Sequence, residues 1–249
     1  HAVQRVAATE MDAAEEYLRQ RFAARRVPRP QLPVIPLGID TARFARSEAF
    51  RAKWRKTYKL GADDIMVMSM GRLSYTEKMH PGPLMIALQK AAVETGRRLI
   101  LLMVGWFGEE ATETLHRQMA QAFAPDVEVL FPDGKDPDLR FEIWSAADIF
   151  AFPVDNIQET YGLAPVEAMA AGLPVVCSDW NGFKDTIMDG VTGIRVTSIM
   201  SSPGTGPQHF AIRTSMSSSP STTTSPVIRD LRLWGTGSRS ALTASAVPS

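Results

Sequence analysis

The 249-residue sequence contains little cysteine, no net charge and no long apolar run. Its single cysteine, Cys177, excludes an internal disulfide, and we expect this thiol in the core because free cysteines are usually buried. Lys and Arg number 27, as do Asp and Glu, so no charge excess favours a nucleic-acid or polyanion partner. No apolar run reaches the roughly 18 residues of a membrane span, and no secretory leader pattern is present. The sequence therefore predicts a cytoplasmic protein with no transmembrane segment.

Motifs for metals and for nicotinamide cofactors are also missing. No G-x-G-x-x-G run follows a predicted strand, which argues against a nicotinamide-dependent enzyme. The histidines are scattered without the spacing of metal ligands, so we predict no metal site; they are His1, His80, His116 and His209. The run Asp136-Pro137-Asp138 spells a D-x-D pair, which could hold a divalent ion. Because it precedes a predicted helix at Leu139, we interpret Asp138 as the N-cap of that helix instead.

What the sequence does contain is an alternation of apolar strands and helical segments. Short apolar runs predict strands at residues 65–70, 99–104, 127–130, 148–153 and 174–177. Apolar residues at helical spacing predict helices at 2–26, 50–60, 83–94, 110–123 and 138–146, with two more around Glu167 and Lys184. Strands that alternate with helices of about 10–15 residues are typical of an α/β fold with a doubly wound parallel sheet.

The composition changes abruptly near Met200. From Ser201 onward, 19 of the 49 residues are Ser or Thr and five are Pro, while Asp230 is the only acidic residue and lysine is absent. Such a segment cannot bury enough apolar surface to form a core, so we expect it to be disordered. Translation out of frame would produce this change of character, and a natural Ser/Thr-rich linker is the alternative.

Two glutamates eight positions apart, Glu159 and Glu167, mark the candidate site. They flank the predicted start of a helix near Gly162–Ala164, whose free N–H groups and positive dipole end can hold a phosphate. Pro165 suits the first turn because it has no intrahelical N–H bond to lose. Glu167 lies about one turn inside the helix, roughly 5 Å further along its axis. A sugar–diphosphate–ribose ligand would therefore meet one carboxylate at each end, although on spacing alone both glutamates could equally be solvated surface residues.

The segment around these glutamates resembles the E-x7-E motif of retaining, GT-B-fold glycosyltransferases of family 4. The resemblance runs from about Val3 to about Thr197. Further motifs carry it in order along the chain: Val34-Ile35-Pro36-Leu37-Gly38-Ile39-Asp40, with Leu37 where Asn is usual; Met70-Gly71-Arg72-Leu73-Ser74 followed by Glu77-Lys78; Ser178-Asp179-Trp180-Asn181-Gly182; and Asp189-Gly190-Val191-Thr192-Gly193.

This resemblance implies a nucleoside-diphosphate-sugar donor, an acceptor that the sequence does not specify, and no cofactor or metal. Arg72 and Lys78 correspond to the family's diphosphate-binding pair, and Glu159 to the carboxylate that holds the sugar hydroxyls; we predict these three as catalytic residues. The predicted donor-binding residues are Glu167 at the ribose, the phosphate-binding turn and a strand-end glycine; the turn and the glycine comprise Tyr161, Gly162, Leu163, Ala164 and Gly105.

The resemblance also suggests a division of the chain into three parts. Residues 1–44 would be the end of an N-terminal domain with its linker, residues 45–198 the Rossmann-like nucleotide-sugar-binding domain, and residues 199–249 the tail. Because family members place acceptor-binding groups in the N-terminal half, we expect this chain to be a truncated form that is inactive alone. A sugar-nucleotide 2-epimerase shares the fold and donor type, so the fold does not exclude it. A non-catalytic remnant is the other alternative.

Overall fold

The computed structural model describes residues 2–33, 35, 37–155, 159 and 161–198. Within them, six strands form one parallel sheet in the order β3-β2-β1-β4-β5-β6. The strands are β1 (Ile65–Met70), β2 (Leu99–Val104), β3 (Val127–Leu130), β4 (Ile149–Phe152), β5 (Val175–Ser178) and β6 (Gly193–Val196). This topology confirms the predicted doubly wound α/β fold. The proposed division into three parts stays a prediction, and residues 199–249 lie outside the described residues.

Helices connect and cover the strands. They are α1 (Ala2–Phe22), α2 (Thr41–Phe44), α3 (Glu48–Thr57), α4 (Gly82–Thr95), α5 (Glu110–Phe123), α6 (Pro137–Glu142), α7 (Leu163–Ala170) and α8 (Phe183–Thr186), with a 3₁₀ turn at Ile143–Ser145. The helix predicted at residues 2–26 is shorter in the structure and ends at Phe22. Ala23 adopts a φ of 49°, which cannot continue a right-handed helix. The helix predicted at 138–146 is also shorter than expected, since α6 passes into the 3₁₀ turn.

The N-cap of α6 corrects one sequence prediction. Asp136, and not Asp138, caps this helix: its side chain accepts hydrogen bonds from the backbone N–H groups of Asp138 at 2.9 Å and Leu139 at 3.4 Å. The physical reason is Pro137, which suits the first helical position because its fixed φ is helical and its missing N–H needs no partner. The helix therefore begins at Pro137, one residue earlier than predicted, and the Asp136 carboxylate is its N-cap.

The core lies on both faces of the sheet. Every residue of β2 is buried, as a strand near the centre of a parallel sheet requires. Cys177 on β5 has no exposed surface, which confirms the prediction that it is a core residue. Burial raises the pKa of its thiol to about 12, so the side chain is a protonated, apolar packing group.

At the amino end of β1 and β4, hydrogen bonds among charged side chains join α3 to the sheet. Asp148 accepts hydrogen bonds from Arg51 at 2.7 Å, from Arg55 at 2.9 Å and from the backbone N–H of Met66 at 2.9 Å. Arg55 also donates to the backbone carbonyls of Gly61 and Asp64, at 2.6 and 2.9 Å. The carboxylate and the Arg55 guanidinium thus find partners within the protein.

Candidate functional site

The strand order places a topological switch point between β1 and β4. The chain proceeds from β1 outward to β2 and β3, and then from β4 outward in the other direction to β5 and β6. In open parallel sheets, ligands bind in the crevice that this reversal leaves outside the carboxyl ends of the strands. We call this crevice the switch-point cleft. The residues lining it that matter below are Ser69, Gly71, Arg72, Lys78, His116 and Phe152.

Two of the predicted catalytic residues meet in this cleft. Lys78, in the connection after β1, donates a hydrogen bond from Nζ to Oε2 of Glu159, which follows β4. Lys78 Nζ also lies 5.4 Å from the centroid of the Phe152 ring, at the end of β4. The side chains of Lys78 and Glu159 are only 25% and 13% exposed, so the pair is partly shielded from water. The fold thus joins residues that are 81 positions apart in the sequence.

Arg72, the third predicted catalytic residue, stands at the solvent-facing edge of the same cleft. Its Nη1 lies 3.0 Å from Oε2 of Glu77, and these side chains are 51% and 61% exposed. An ion pair this exposed contributes little, because water screens both charges. An incoming anion can therefore compete with Glu77 for the guanidinium at small energetic cost.

The helix start that was predicted to hold a phosphate is present. Gly162 is the N-cap of α7 and adopts a φ of 80°, a left-handed conformation that favours glycine. A Cβ on Gly162 would also come within 2.4 Å of the buried Phe183 ring, so no side chain fits there. Gly162 has no side chain to cap α7, and no other described residue is seen to cap it, so the backbone N–H groups of Leu163 and Ala164 at its start can bind a ligand or water.

Acidic side chains near this end of the sheet are partly desolvated. Burial raises the pKa of Glu167 on α7, against a smaller opposing effect from Arg140. Burial likewise raises the pKa of Asp155, which follows β4 and accepts a hydrogen bond from the backbone N–H of His80 at 3.2 Å. Ligand hydroxyls can donate to such carboxylates and replace the water that burial has removed.

Two other predicted donor-binding residues, Tyr161 and Gly105, make contacts within the protein. The Tyr161 hydroxyl donates a hydrogen bond to the backbone carbonyl of Leu37 at 2.9 Å. Gly105 follows β2 and lies against the chain after β1: a Cβ there would come within 1.9 Å of the Gly71 carbonyl oxygen. Gly105 therefore permits the close approach of these strand ends, which sets the position of Gly71 in the cleft.

Sequence analysis missed His116, which it treated only as one of several scattered histidines. The side chain lies on α5, is fully buried, and lines the cleft together with Arg72 and Lys78. Desolvation is the main cause that lowers its pKa, so the imidazole is neutral near pH 7. The available signal was a polar residue on the apolar face of an amphipathic helix, since Met119 three positions later is also buried.

The described residues form neither a cluster of metal ligands nor a membrane-spanning helix. Within them, no group of three or more His, Cys, Asp or Glu side chains is arranged to hold a metal ion. No helix in that part of the chain is both long and apolar enough to cross a bilayer.

Comparison with known proteins identifies the family. Residues 50–199 match the family model of the glycosyl transferases group 1. The chain belongs to this family. A similar curated relative is the GDP-mannose-dependent alpha-(1-6)-phosphatidylinositol monomannoside mannosyltransferase of Mycolicibacterium smegmatis. It is 34% identical over 185 residues, which cover 71% of this chain and 46% of the relative. The chain thus spans about half the length of the curated relatives it matches.

Solved structures agree on the fold. HepE of Anabaena, crystallised with UDP and glucose, superposes with a TM-score of 0.54 at 23% identity, over 64% of this chain and 41% of that protein. The C-terminal domain of a glycosyl transferase group 1 family protein from Francisella tularensis gives a TM-score of 0.51 at 18% identity. That match covers 64% of this chain and 80% of the domain. The described part of the chain therefore shares its Rossmann-like fold with a domain of GT-B glycosyltransferases.

Proposed function

We propose that this chain is the donor-binding half of a retaining glycosyltransferase, which transfers a sugar from a nucleoside-diphosphate sugar to an acceptor. The observation that carries the proposal is that Arg72 and Lys78 both line the switch-point cleft and that Lys78 is hydrogen-bonded to Glu159. Cations and a carboxylate at a ligand crevice match a molecule that joins a diphosphate to a hydroxyl-rich sugar.

In this proposal, Arg72 and Lys78 neutralise the negative charge that grows on the diphosphate as the sugar leaves. Arg72 is exposed and pairs with the exposed Glu77, so its guanidinium can turn to bind a phosphate with two N–H groups. Lys78 acts as a point charge beside it. The N–H groups at the start of α7 add to the same electrostatic stabilisation, and no metal ion is required.

Glu159 and Glu167 would bind the two hydroxyl-bearing parts of the donor. Glu159 is mostly buried and is already oriented by Lys78, and its backbone carbonyl accepts a hydrogen bond from the Gly182 N–H at 3.2 Å. These contacts fix the carboxylate where a sugar next to the diphosphate would lie. Glu167, on α7, would accept hydrogen bonds from the ribose. Leu163, which is 43% exposed at the start of the same helix, would contact the donor beside them.

The names of related proteins support this donor class. The mycolicibacterial relative is GDP-mannose-dependent, and HepE has been solved with UDP and glucose. Because these ligands share a nucleoside diphosphate and a hexose, the proposal specifies those parts of the donor for this chain. For the whole enzyme, we propose that the sugar is transferred with retention of its anomeric configuration. The acceptor is not specified.

Glu159→Gln tests the proposal by separating the sugar from the diphosphate. Losing hydrogen bonds to a charged acceptor should weaken GDP-mannose or UDP-glucose binding by about tenfold to hundredfold. GDP or UDP alone should bind at least as well as before, because Lys78 loses its competing carboxylate. Isothermal titration of the 249-residue chain with each ligand measures both effects.

Glu94→Gln is the matched control for this experiment. Glu94 pairs with Lys90 at 3.7 Å on α4, outside the cleft, and its neutralisation should change neither affinity. If the wild-type chain binds none of the four ligands, the proposed function is wrong. If sugar nucleotide and diphosphate weaken equally in Glu159→Gln, Glu159 is not the sugar contact.

A further inference from the structure

His116 carries a hydrogen-bond acceptor that the protein leaves without a partner. Its Nδ1 lies 2.8 Å from the backbone carbonyl oxygen of Thr112, one turn earlier on α5. A carbonyl oxygen only accepts, so Nδ1 of the neutral ring bears the proton and Nε2 bears the lone pair. Nε2 is buried and has no hydrogen-bond partner anywhere in the described part of the chain. Leaving such an atom unpaired is unfavourable, because the hydrogen bonds it made to water in the unfolded chain are not replaced.

The surroundings hold the imidazole in this orientation. The ring of Phe107 lies 5.2 Å from it in edge contact, and the rings of Phe131 and Tyr75 lie 6.2 and 6.4 Å away, measured between centroids. Nδ1 is held by its own helix, and the ring is part of the lining of the switch-point cleft. The residue that bears the unpaired atom therefore lines the cleft in which we place the diphosphate.

A direct bond between Nε2 and a phosphate would place two acceptors against each other. A water molecule resolves the conflict, because it can donate one hydrogen to Nε2 and the other to a phosphate oxygen. Ser69 offers a third partner: it is 3% exposed, ends in a hydroxyl, and lines the same cleft at the carboxyl end of β1. The space enclosed by these lining side chains has room for about one water molecule. A buried water usually has about two to four polar partners, and His116, Ser69 and a phosphate oxygen would supply three.

We propose that His116 and Ser69 hold one ordered water at the floor of the cleft, and that this water donates its second hydrogen to the donor's diphosphate. The proposal rests on the proposed function and makes His116 a positioning residue. It acts on the ligand through the water and remains neutral throughout. Besides burial, electrostatic repulsion from the nearby His80 side chain lowers the pKa of His116. The cations Arg72 and Lys78 share its cleft, and Arg117 follows it on α5.

The first test is titration of the full 249-residue chain with UDP, GDP, uridine and guanosine. His116→Leu should weaken binding of both diphosphates by about threefold to tenfold, the size of one water-mediated hydrogen bond, and leave both nucleosides unchanged. His116→Gln should recover most of the loss, because its amide oxygen can accept from the water. Met119→Leu, at a buried position of the same helix, is the matched control and should bind every ligand as the wild type does.

The second test reads the protonation of the ring directly, in wild-type protein. Nitrogen-15 NMR of labelled histidine should show Nδ1 protonated and Nε2 unprotonated, both before and after UDP saturates the chain. Protonation of Nε2 on UDP binding would overturn the proposal in favour of a direct imidazolium–phosphate bond. The wild-type spectrum tests the tautomer, and His116→Gln tests the contact with the diphosphate, even if His116→Leu does not fold.

The outcomes also separate this inference from the proposed function. If UDP and GDP bind to wild type but bind equally well to His116→Leu, His116 is a packing residue and only the water-mediated contact is wrong. If neither diphosphate binds to the wild-type chain, the proposed function and the inference fail together.

Discussion

Charged residues lie at both ends of β1 and β4, but the two ends differ in how far these residues are paired within the protein. At the amino end, Asp148 accepts from Arg51, from Arg55 and from a backbone N–H, all at 2.7–2.9 Å. At the carboxyl end, Arg72 is half exposed and pairs with an exposed carboxylate. His116 lines the same cleft, and its buried Nε2 has no partner among the described residues.

The difference separates charges that hold the fold from charges that serve a ligand. A buried group is stable when its partners are inside the protein, and the amino end meets that condition. The carboxyl end keeps acids whose pKa burial raises, Asp155 and Glu167, together with cations that water can reach. Groups with incomplete partners gain most when a ligand of matching charge arrives. We infer that a polar group with its partners inside the protein is altered at the expense of stability, and one without them at the expense of binding.

The largest expected effect is on the amino end. Asp148→Ala would leave Arg51 and Arg55 without their shared carboxylate, and we expect the free energy of unfolding to fall by about 3 kcal/mol. The estimate takes the lower end of the usual range because the Asp148 side chain is 27% exposed. Urea denaturation followed by circular dichroism measures the change.

Asp63→Ala is the control for Asp148→Ala, since Asp63 is an exposed residue in the turn before β1. Substitutions at such positions usually change stability by less than about 0.5 kcal/mol. If Asp148→Ala is as mild as this control, the amino end is not the structural cluster that its contacts indicate.

The next effect concerns the carboxyl end and should be confined to binding. Arg72→Ala removes a charge-assisted contact to the diphosphate, so affinity for UDP or GDP should fall about tenfold to hundredfold while uridine and guanosine change little. Stability should change by less than about 0.5 kcal/mol, because the pair with Glu77 is exposed. Calorimetric titration and urea denaturation on the same preparation give both numbers.

Arg97→Ala is the control for Arg72→Ala, because Arg97 is also an exposed arginine but lies just before β2, at the amino end of the sheet. It should leave diphosphate affinity unchanged. Equal losses for nucleoside and diphosphate in Arg72→Ala would mean that Arg72 supports the fold, and the contrast between the two ends would disappear.

The sequence predicted those features that depend on local pattern. The bounds of β1, β2, β3 and α5 were predicted to the residue, because each is an apolar or amphipathic run between clear breaks. The bond between Lys78 and Glu159 depends on how β1 and β4 pair. Motif resemblance predicted both residues, but no local rule gives their contact.

His116 shows the same limit in another form. Its position on the buried face of α5 can be read from helical spacing, but its partners cannot. Whether Nε2 meets a donor depends on the side chains that the connection after β1 brings over the helix. Such contacts arise only when the sheet is assembled, which is why sequence analysis left His116 among the scattered histidines.

The smallest expected effect concerns Tyr161, which we predicted as a donor-binding residue and which the structure joins to Leu37. Its hydroxyl already has an acceptor in the protein, so by the contrast above it should behave like a group of the amino end. Tyr161→Phe should lower the free energy of unfolding by about 1 kcal/mol, the value of one hydrogen bond. Affinity for UDP and GDP should change by less than about twofold, within about 0.4 kcal/mol.

Tyr17→Phe, at a position that is 59% exposed on α1, is the control and should change neither quantity. Denaturation and titration of both variants give the comparison. A fall in diphosphate affinity of more than about tenfold in Tyr161→Phe, about 1.4 kcal/mol, would show that the hydroxyl leaves Leu37 to contact the donor. A partner inside the protein would then be no guide to which polar groups at this end of the sheet serve the ligand.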